Sequence, residues 1–188
     1  MRLLFIFIIL LFSIFSCSEV KRNQTLDANH HNIELDNGVL LYEKTPFSGI
    51  ITRSYENGQP KSEIEYTNGR KHGVEKQWYI NGNIATIRSY ENGIKVGIHE
   101  GWWENASQKF LYHFNEKGEY NGEVKEWYFS GVPYKHFNFS NGKEVGNQKL
   151  WNKNGKIKAN YDVRNGERFG LIGLKKCFTV TTDTNGIK

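Results

Sequence analysis

Residues 73–96 read GVEKQWYINGNIATIRSYENGIKV. The stretch opens on Gly73, carries an aromatic doublet at Trp78-Tyr79, and holds two turn signals, Asn81-Gly82 and Asn92-Gly93. A two-residue type I′ turn needs positive φ at both central residues, which Asn followed by Gly tolerates best. Two such signals in this 24-residue stretch predict two strands of ordinary length and two chain reversals.

The same unit recurs on both sides. Gly49, Gly73, Gly97, Gly122, Gly146 and Gly170 are separated by 24, 24, 25, 24 and 24 residues. Nine residues after each of the first five comes a turn pair: Asn57-Gly58, Asn81-Gly82, Asn105-Ala106, Ser130-Gly131 and Asn154-Gly155. Near each unit's end comes another: Asn68-Gly69, Asn92-Gly93, Lys117-Gly118, Asn141-Gly142 and Asn165-Gly166. The extra residue of the third unit falls just before Gly118, in a loop, where insertion is cheap. A fixed period of this length marks a repeat architecture.

Second strands alternate. Phe110, Tyr112 and Phe114 are interleaved with polar residues, as are Phe137 and Phe139, and Ile157, Ala159, Tyr161 and Val163. Period two predicts one packed and one wet face. Arg88 on the apolar side and Ile87 on the polar side break the rule in the second unit. First strands carry the doublets Trp78-Tyr79, Trp102-Trp103 and Trp127-Tyr128, with Ser54-Tyr55 and Trp151-Asn152 at the ends. Neighbours on a strand point to opposite faces, so one ring of each doublet is expected to pack and the other to line the far face. The losses at the ends fit capping repeats.

The predicted fold is all-β: an elongated, single-layer antiparallel β-meander of stacked hairpins. The five repeats span 49–72, 73–96, 97–121, 122–145 and 146–169. Residues 33–48, with Asn37-Gly38, form a partial hairpin that caps the array, and 170–180 a capping strand at the other end. Residues 181–188 are a polar, frayed tail, and 17–32 a polar tether containing the pair His30-His31.

The first sixteen residues stand apart. Met1-Arg2 is positive, Leu3 to Phe12 is unbroken apolar sequence, and a small mixed stretch leads to Cys17. This is the layout of a secretory signal peptide, with an apolar run too short to span a bilayer. Ile14-Phe15-Ser16-Cys17 resembles the lipobox of bacterial lipoproteins. That resemblance implies cleavage before Cys17, acylation of its thiol and new amine, and stable membrane anchoring. Ser18, where an Asp would retain the protein at the inner membrane, favours the outer membrane. Cys177 is then the one thiol left, with no disulfide partner and no metal-ligand spacing, and is expected to be a small buried residue.

Composition excludes several classes. Loss of Arg2 lowers the formal charge from +5 by one, and the lysines are scattered, so a nucleic-acid partner is not expected. None of the six histidines has metal-site spacing, and no nucleophile elbow, P-loop or dinucleotide fingerprint occurs. Pairs such as Glu63 and Glu65, or Glu123 and Glu126, read as a solvated strand face. The chain is therefore expected to be non-catalytic, without cofactor or metal.

The unit G-x4-W-Y-x-N-G, followed about ten residues later by N-G-x3-G, resembles the MORN repeat over about residues 39–174. It is most similar to the bacterial variant in proteins labelled YwqK-family antitoxins. The resemblance implies a β-meander of stacked hairpins, and for eukaryotic arrays an association with membrane lipids and protein scaffolding. Exposed Trp and Tyr are favoured interaction residues. The candidate binding stripe is Trp78, Tyr79, Trp102, Trp103, Trp127 and Tyr128. Three functions follow: a lipid-anchored envelope module that holds a protein partner, a cell-wall carbohydrate or peptidoglycan binder, and an antitoxin or immunity protein.

Overall fold

The computed structural model describes residues 24–173. The signal peptide, the lipidation site Cys17, Cys177 and the tail 181–188 lie outside the described residues, as does most of the expected capping strand. Sixteen strands run β1 (Thr25–Asp27), β2 (Ile33–Asp36), β3 (Val39–Tyr42), β4 (Thr45–Pro46), β5 (Gly49–Ser54), β6 (Pro60–Thr67), β7 (Arg70–Trp78) and β8 (Ile84–Glu91). They continue as β9 (Ile94–Trp102), β10 (Gln108–Phe114), β11 (Tyr120–Trp127), β12 (Pro133–Ser140), β13 (Lys143–Glu144), β14 (Gly146–Trp151), β15 (Ile157–Arg164) and β16 (Glu167–Leu171). One 13-stranded sheet takes them in sequence order from β5 to β16, with β1 on its first edge and the short β13 beside β12. The described residues are thus an all-β meander of successive hairpins.

Two turn types alternate along it. At the second turn of the units, Asn68, Asn92, Asn141 and Asn165 have φ of 47–53° and the glycines after them are also positive, as type I′ requires. At the first turn only the second residue is positive, for example Gly58 at 82° and Gly82 at 84°, so the expected type I′ geometry is corrected there. The Tyr79 N–H donates to the Asn83 carbonyl at 2.8 Å and the Gly82 N–H to the Tyr79 carbonyl at 3.0 Å. That is a three-residue loop, a type I turn closed by one left-handed residue. The Asn of this loop acts through its side chain, and the Asn81 Oδ1 accepts from the Asn83 N–H at 3.0 Å. The third unit's extra residue converts its second turn to the same form, with the Asn115 N–H on the Glu119 carbonyl at 2.9 Å.

The leading glycines Gly73, Gly97 and Gly122 sit where the ladder to the preceding strand shifts register. At Gly73 φ is 104°, and a Cβ there would lie 1.9 Å from the Glu65 carboxylate. The ladder between β6 and β7 shifts register between Ile64 and Tyr66, opposite this point.

The N-terminal region departs from expectation. The stretch read as tether contains β1, which pairs in parallel with β5 through Leu26 and Ile51. Its alternating Thr25-Leu26-Asp27 was too short to show a period, and the exposed edge of β5 supplies the partner. His30 stacks on His31 at 4.7 Å and meets the edge of Tyr42 at 5.4 Å, so His30 is partly packed while His31 stays exposed. Strands β2, β3 and β4 form a separate three-stranded sheet over the stretch read as a partial hairpin. It joins the array through the Asn68-Gly69 turn: the Leu40 N–H donates to the Gly69 carbonyl, and the Gly69 N–H to that of Phe47. At the far end β16 straddles the expected boundary at 169/170.

The core is one layer of side chains on one face. Phe110, Tyr112 and Phe114 share it with Tyr120, Phe137, Phe139 and Tyr161 through ring contacts of 4.6–6.5 Å. The deepest column lies two residues after each leading glycine. Ile51, Glu75, His99, Val124 and Gln148 are 5%, 1%, 2%, 3% and 0% exposed. Three of these five are polar, and each has partners. Glu75 pairs with Lys71 and, at 3.5 Å, with Arg88, and accepts from Gln77 at 2.8 Å. This accounts for Arg88 on the apolar side. Gln148 accepts from the Asn138 N–H and donates to the Asn138 carbonyl, both at 2.9 Å. His99 donates through Nε2 to the Ser89 carbonyl at 2.8 Å.

Candidate binding face

The ladders break again where the aromatic doublets begin. Register shifts fall between Gln77 and Trp78, between Glu126 and Trp127, and between Leu150 and Trp151. The strand ends on the first ring of each doublet, and at Trp78-Tyr79 and Trp127-Tyr128 the second ring, just past the strand, borders the same hollow as the first. The expectation that doublet partners point to opposite faces is corrected for these two, whereas Trp102 and Trp103 border different hollows.

Two clefts result. Trp78, Tyr79 and Trp102 border the first, of about 350 Å³, with Tyr55, Arg53 and Lys61. Trp103, Trp127 and Tyr128 border the second, of about 620 Å³, with Phe129, Tyr134 and Lys153. Lys109 lines both, so the two are neighbours along the array. All six residues of the predicted stripe are accounted for, three in each cleft.

The second member of each doublet also ties its repeat to the next. Tyr55, Tyr79 and Tyr128 hydroxyls donate to the carbonyls of Trp78, Trp102 and Trp151 at 2.8, 2.9 and 3.1 Å. Trp103 does the same through Nε1 to the Trp127 carbonyl at 3.2 Å. These bonds hold the rings in fixed orientation along the cleft walls. Tyr79 has its hydroxyl pKa raised by burial first and by Glu104 second, so it remains a donor at neutral pH.

Cations lie over the rings. The Lys109 ammonium is 4.4 Å from the Trp103 centroid, Lys61 5.4 Å from Tyr55 and Lys135 5.7 Å from Tyr134. Arg53, Lys61, Lys109 and Lys153 make no ion pair among the described residues. Glu126 is the one carboxylate bordering the second cleft, and Lys135 holds it at 2.7 Å. No carboxylate borders the first. The reading of Glu126 as part of a solvated face is therefore corrected: it stands on the aromatic side, while Glu123 faces the other way toward Lys125 and His136.

Several residues that form the second cleft were not singled out in the sequence. Phe110 and Tyr112 read as strand core, and they also make its floor. The Phe110 ring lies over Gly101, where a Cβ would be 2.1 Å from it. Burial first, and the Glu126 charge second, push the Tyr112 hydroxyl well above its ordinary pKa. Phe129 follows a doublet into a turn and is 57% exposed. A large apolar residue in a three-residue loop was the available signal. In the first cleft Thr86 Oγ1 is buried with no hydrogen-bond partner among the described residues. No cluster of three or more His, Cys, Asp or Glu side chains suited to a metal occurs among the described residues. His113 and His136 are half-buried: His113 Nδ1 lies 2.9 Å from the Glu123 carbonyl and His136 Nε2 3.0 Å from its carboxylate.

The class these features define is an all-β array of hairpin repeats with aromatic, cation-rimmed clefts along one face. Residues 48–68 and 71–92, within the first two units, match the family model described as a MORN repeat variant. MORN repeats are generally protein- or membrane-interaction modules. No curated protein matches the chain. Among solved structures, the chain is similar to a mutant of TarM from S. aureus crystallised with Fondaparinux, alpha-GlcNAc-glycerol and UDP. That likeness has 15% identity and a TM-score of 0.31, and covers 61% of this chain and 21% of the other. The chain thus spans about a fifth of that protein, and the likeness carries no functional argument.

Proposed function

We propose that this protein is a non-catalytic interaction module of the bacterial cell envelope, anchored through a lipidated Cys17, that holds a protein partner against the aromatic face of its sheet. The observation that carries this reading is the second cleft. Its volume of about 620 Å³ is within the range of sites that accept a bulky group. Its walls are Trp and Tyr held by hydrogen bonds to the next repeat, so little ordering remains to be done on binding. Rigid aromatic anchors of this kind dominate protein interfaces. The lipobox-like Ile14-Phe15-Ser16-Cys17 supports the anchor.

The test is capture of envelope proteins on the immobilised chain, followed by a binding measurement with the purified partner. Phe129→Asp is the informative variant, because Phe129 lines the cleft yet makes no repeat-to-repeat hydrogen bond. A partner bound by the native chain and lost on Phe129→Asp, with the fold retained by circular dichroism, supports the reading. A partner bound equally by both chains places the interface elsewhere and overturns it.

A further inference from the structure

The protein-interaction reading leaves the chemistry of the partner open, and the following inference rests on that reading. Four cations border the two clefts: Arg53, Lys61, Lys109 and Lys153. None is neutralised by an ion pair among the described residues, and the one carboxylate that lines either cleft, on Glu126, is already taken by Lys135. The opposite face is different. There Glu63 and Glu65 are exposed, and Glu123 is shared by Lys125 and His136. The face that carries the aromatic hollows thus has unpaired cations at the rims and no free carboxylate lining them.

The rings themselves narrow the choice. A sugar or a nucleobase would bind by stacking on an open aromatic face. Here Trp103, Tyr55 and Tyr134 each already have an ammonium group over the ring. Separate cations at the rims suit carboxylates spaced along a chain, beside a hollow for one apolar side chain.

We propose that the occupant of this face is an acidic peptide segment carrying one bulky apolar or aromatic residue. The apolar residue enters the second cleft between Trp127, Tyr128 and Phe129. Carboxylates on either side meet Lys153 in one direction and Lys109, Lys61 and Arg53 in the other. Apolar burial supplies the anchor, and the charges set register and exclude basic segments.

The experiment is selection of a random peptide library on the intact chain, beside a Lys61→Glu/Lys109→Glu/Lys153→Glu variant checked for native circular dichroism. Expected from the native chain are peptides rich in Asp and Glu around an aromatic or large aliphatic residue. A synthetic peptide of that consensus should lose on the order of tenfold in affinity on the variant, and should weaken as salt rises. Selected peptides with no acidic bias, or with equal affinity for both chains, would overturn the acidic-segment proposal and leave a protein-interaction module standing. No selected peptide, together with retention of the native chain on insoluble cell wall, would overturn both.

Discussion

At the scale of single residues, the repeat imposes the same backbone at equivalent positions whatever the side chain. Ala106 stands where the other units have Gly58, Gly82, Gly131 and Gly155, and it keeps the left-handed conformation with φ of 63°. Alanine there is strained by roughly 1–2 kcal/mol. Part of the relief in Ala106→Gly is offset by the greater freedom of glycine in the unfolded chain. The net expectation is a gain of about 0.5–1 kcal/mol, read as a higher urea midpoint with unchanged m-value. A lower midpoint would mean that the Ala106 methyl has a packing role that outweighs the strain. The glycines and turn pairs were legible in the sequence because conformation alone selects them. The deepest column was not. Glu75, His99 and Gln148 read as polar, and polarity argues for the wet face. His99 and Gln148 are buried because each bonds a backbone group of the neighbouring strand, and Glu75 because Lys71, Arg88 and Gln77 partner its carboxylate. Only the three-dimensional register shows that need.

At the scale of strands, the junction between β8 and β9 carries a titratable group in this column. His99 lies between Tyr90 at 5.5 Å and Phe114 at 4.6 Å, with Arg88, Lys95 and Glu75 as the charged groups that act on it. Burial, the largest cause, lowers its pKa below the ordinary 6.5, against the opposing bond to the Ser89 carbonyl. The folded chain therefore holds His99 neutral, while the unfolded chain takes up a proton near 6.5. Its contribution is full above that pH and is lost as pH falls from about 6.5 toward the folded pKa. Unfolding midpoints measured from neutral to mildly acidic pH should fall for the native chain. They should fall less for His99→Gln, whose amide can keep the bond to Ser89. Equal slopes for the two chains would show that His99 does not titrate on unfolding. The strand order was legible at this scale, because period-two alternation and turn pairs both point to hairpins. The side on which the doublets lie was not, because β7 and β11 end on Trp78 and Trp127, and alternation says nothing of the ring that follows a strand's last residue.

At the scale of the whole molecule, each unit meets only its neighbours, and equivalent bonds recur at a constant interval. The Tyr55 hydroxyl reaches the Trp78 carbonyl, and the Tyr79 hydroxyl reaches that of Trp102. Deleting residues 73–96 removes one full period and brings Gly97 to the place of Gly73, with Tyr55 now facing Trp102. Stability in such an array is close to a sum of unit and interface terms. The shortened chain should therefore fold cooperatively, with an m-value smaller by roughly a fifth, in proportion to the surface lost. The deletion removes the buried Glu75 together with Arg88 and leaves Lys71 without its carboxylate near the new junction, so the midpoint should also drop. The second cleft belongs to the third, fourth and fifth units, and its ring bonds from Trp103 and Tyr128 are untouched. A chain that unfolds on this deletion would show that Glu75 and its ion pairs nucleate the array. A chain that folds and keeps its peptide preference would locate recognition in the second cleft, with the first supplying only added charge.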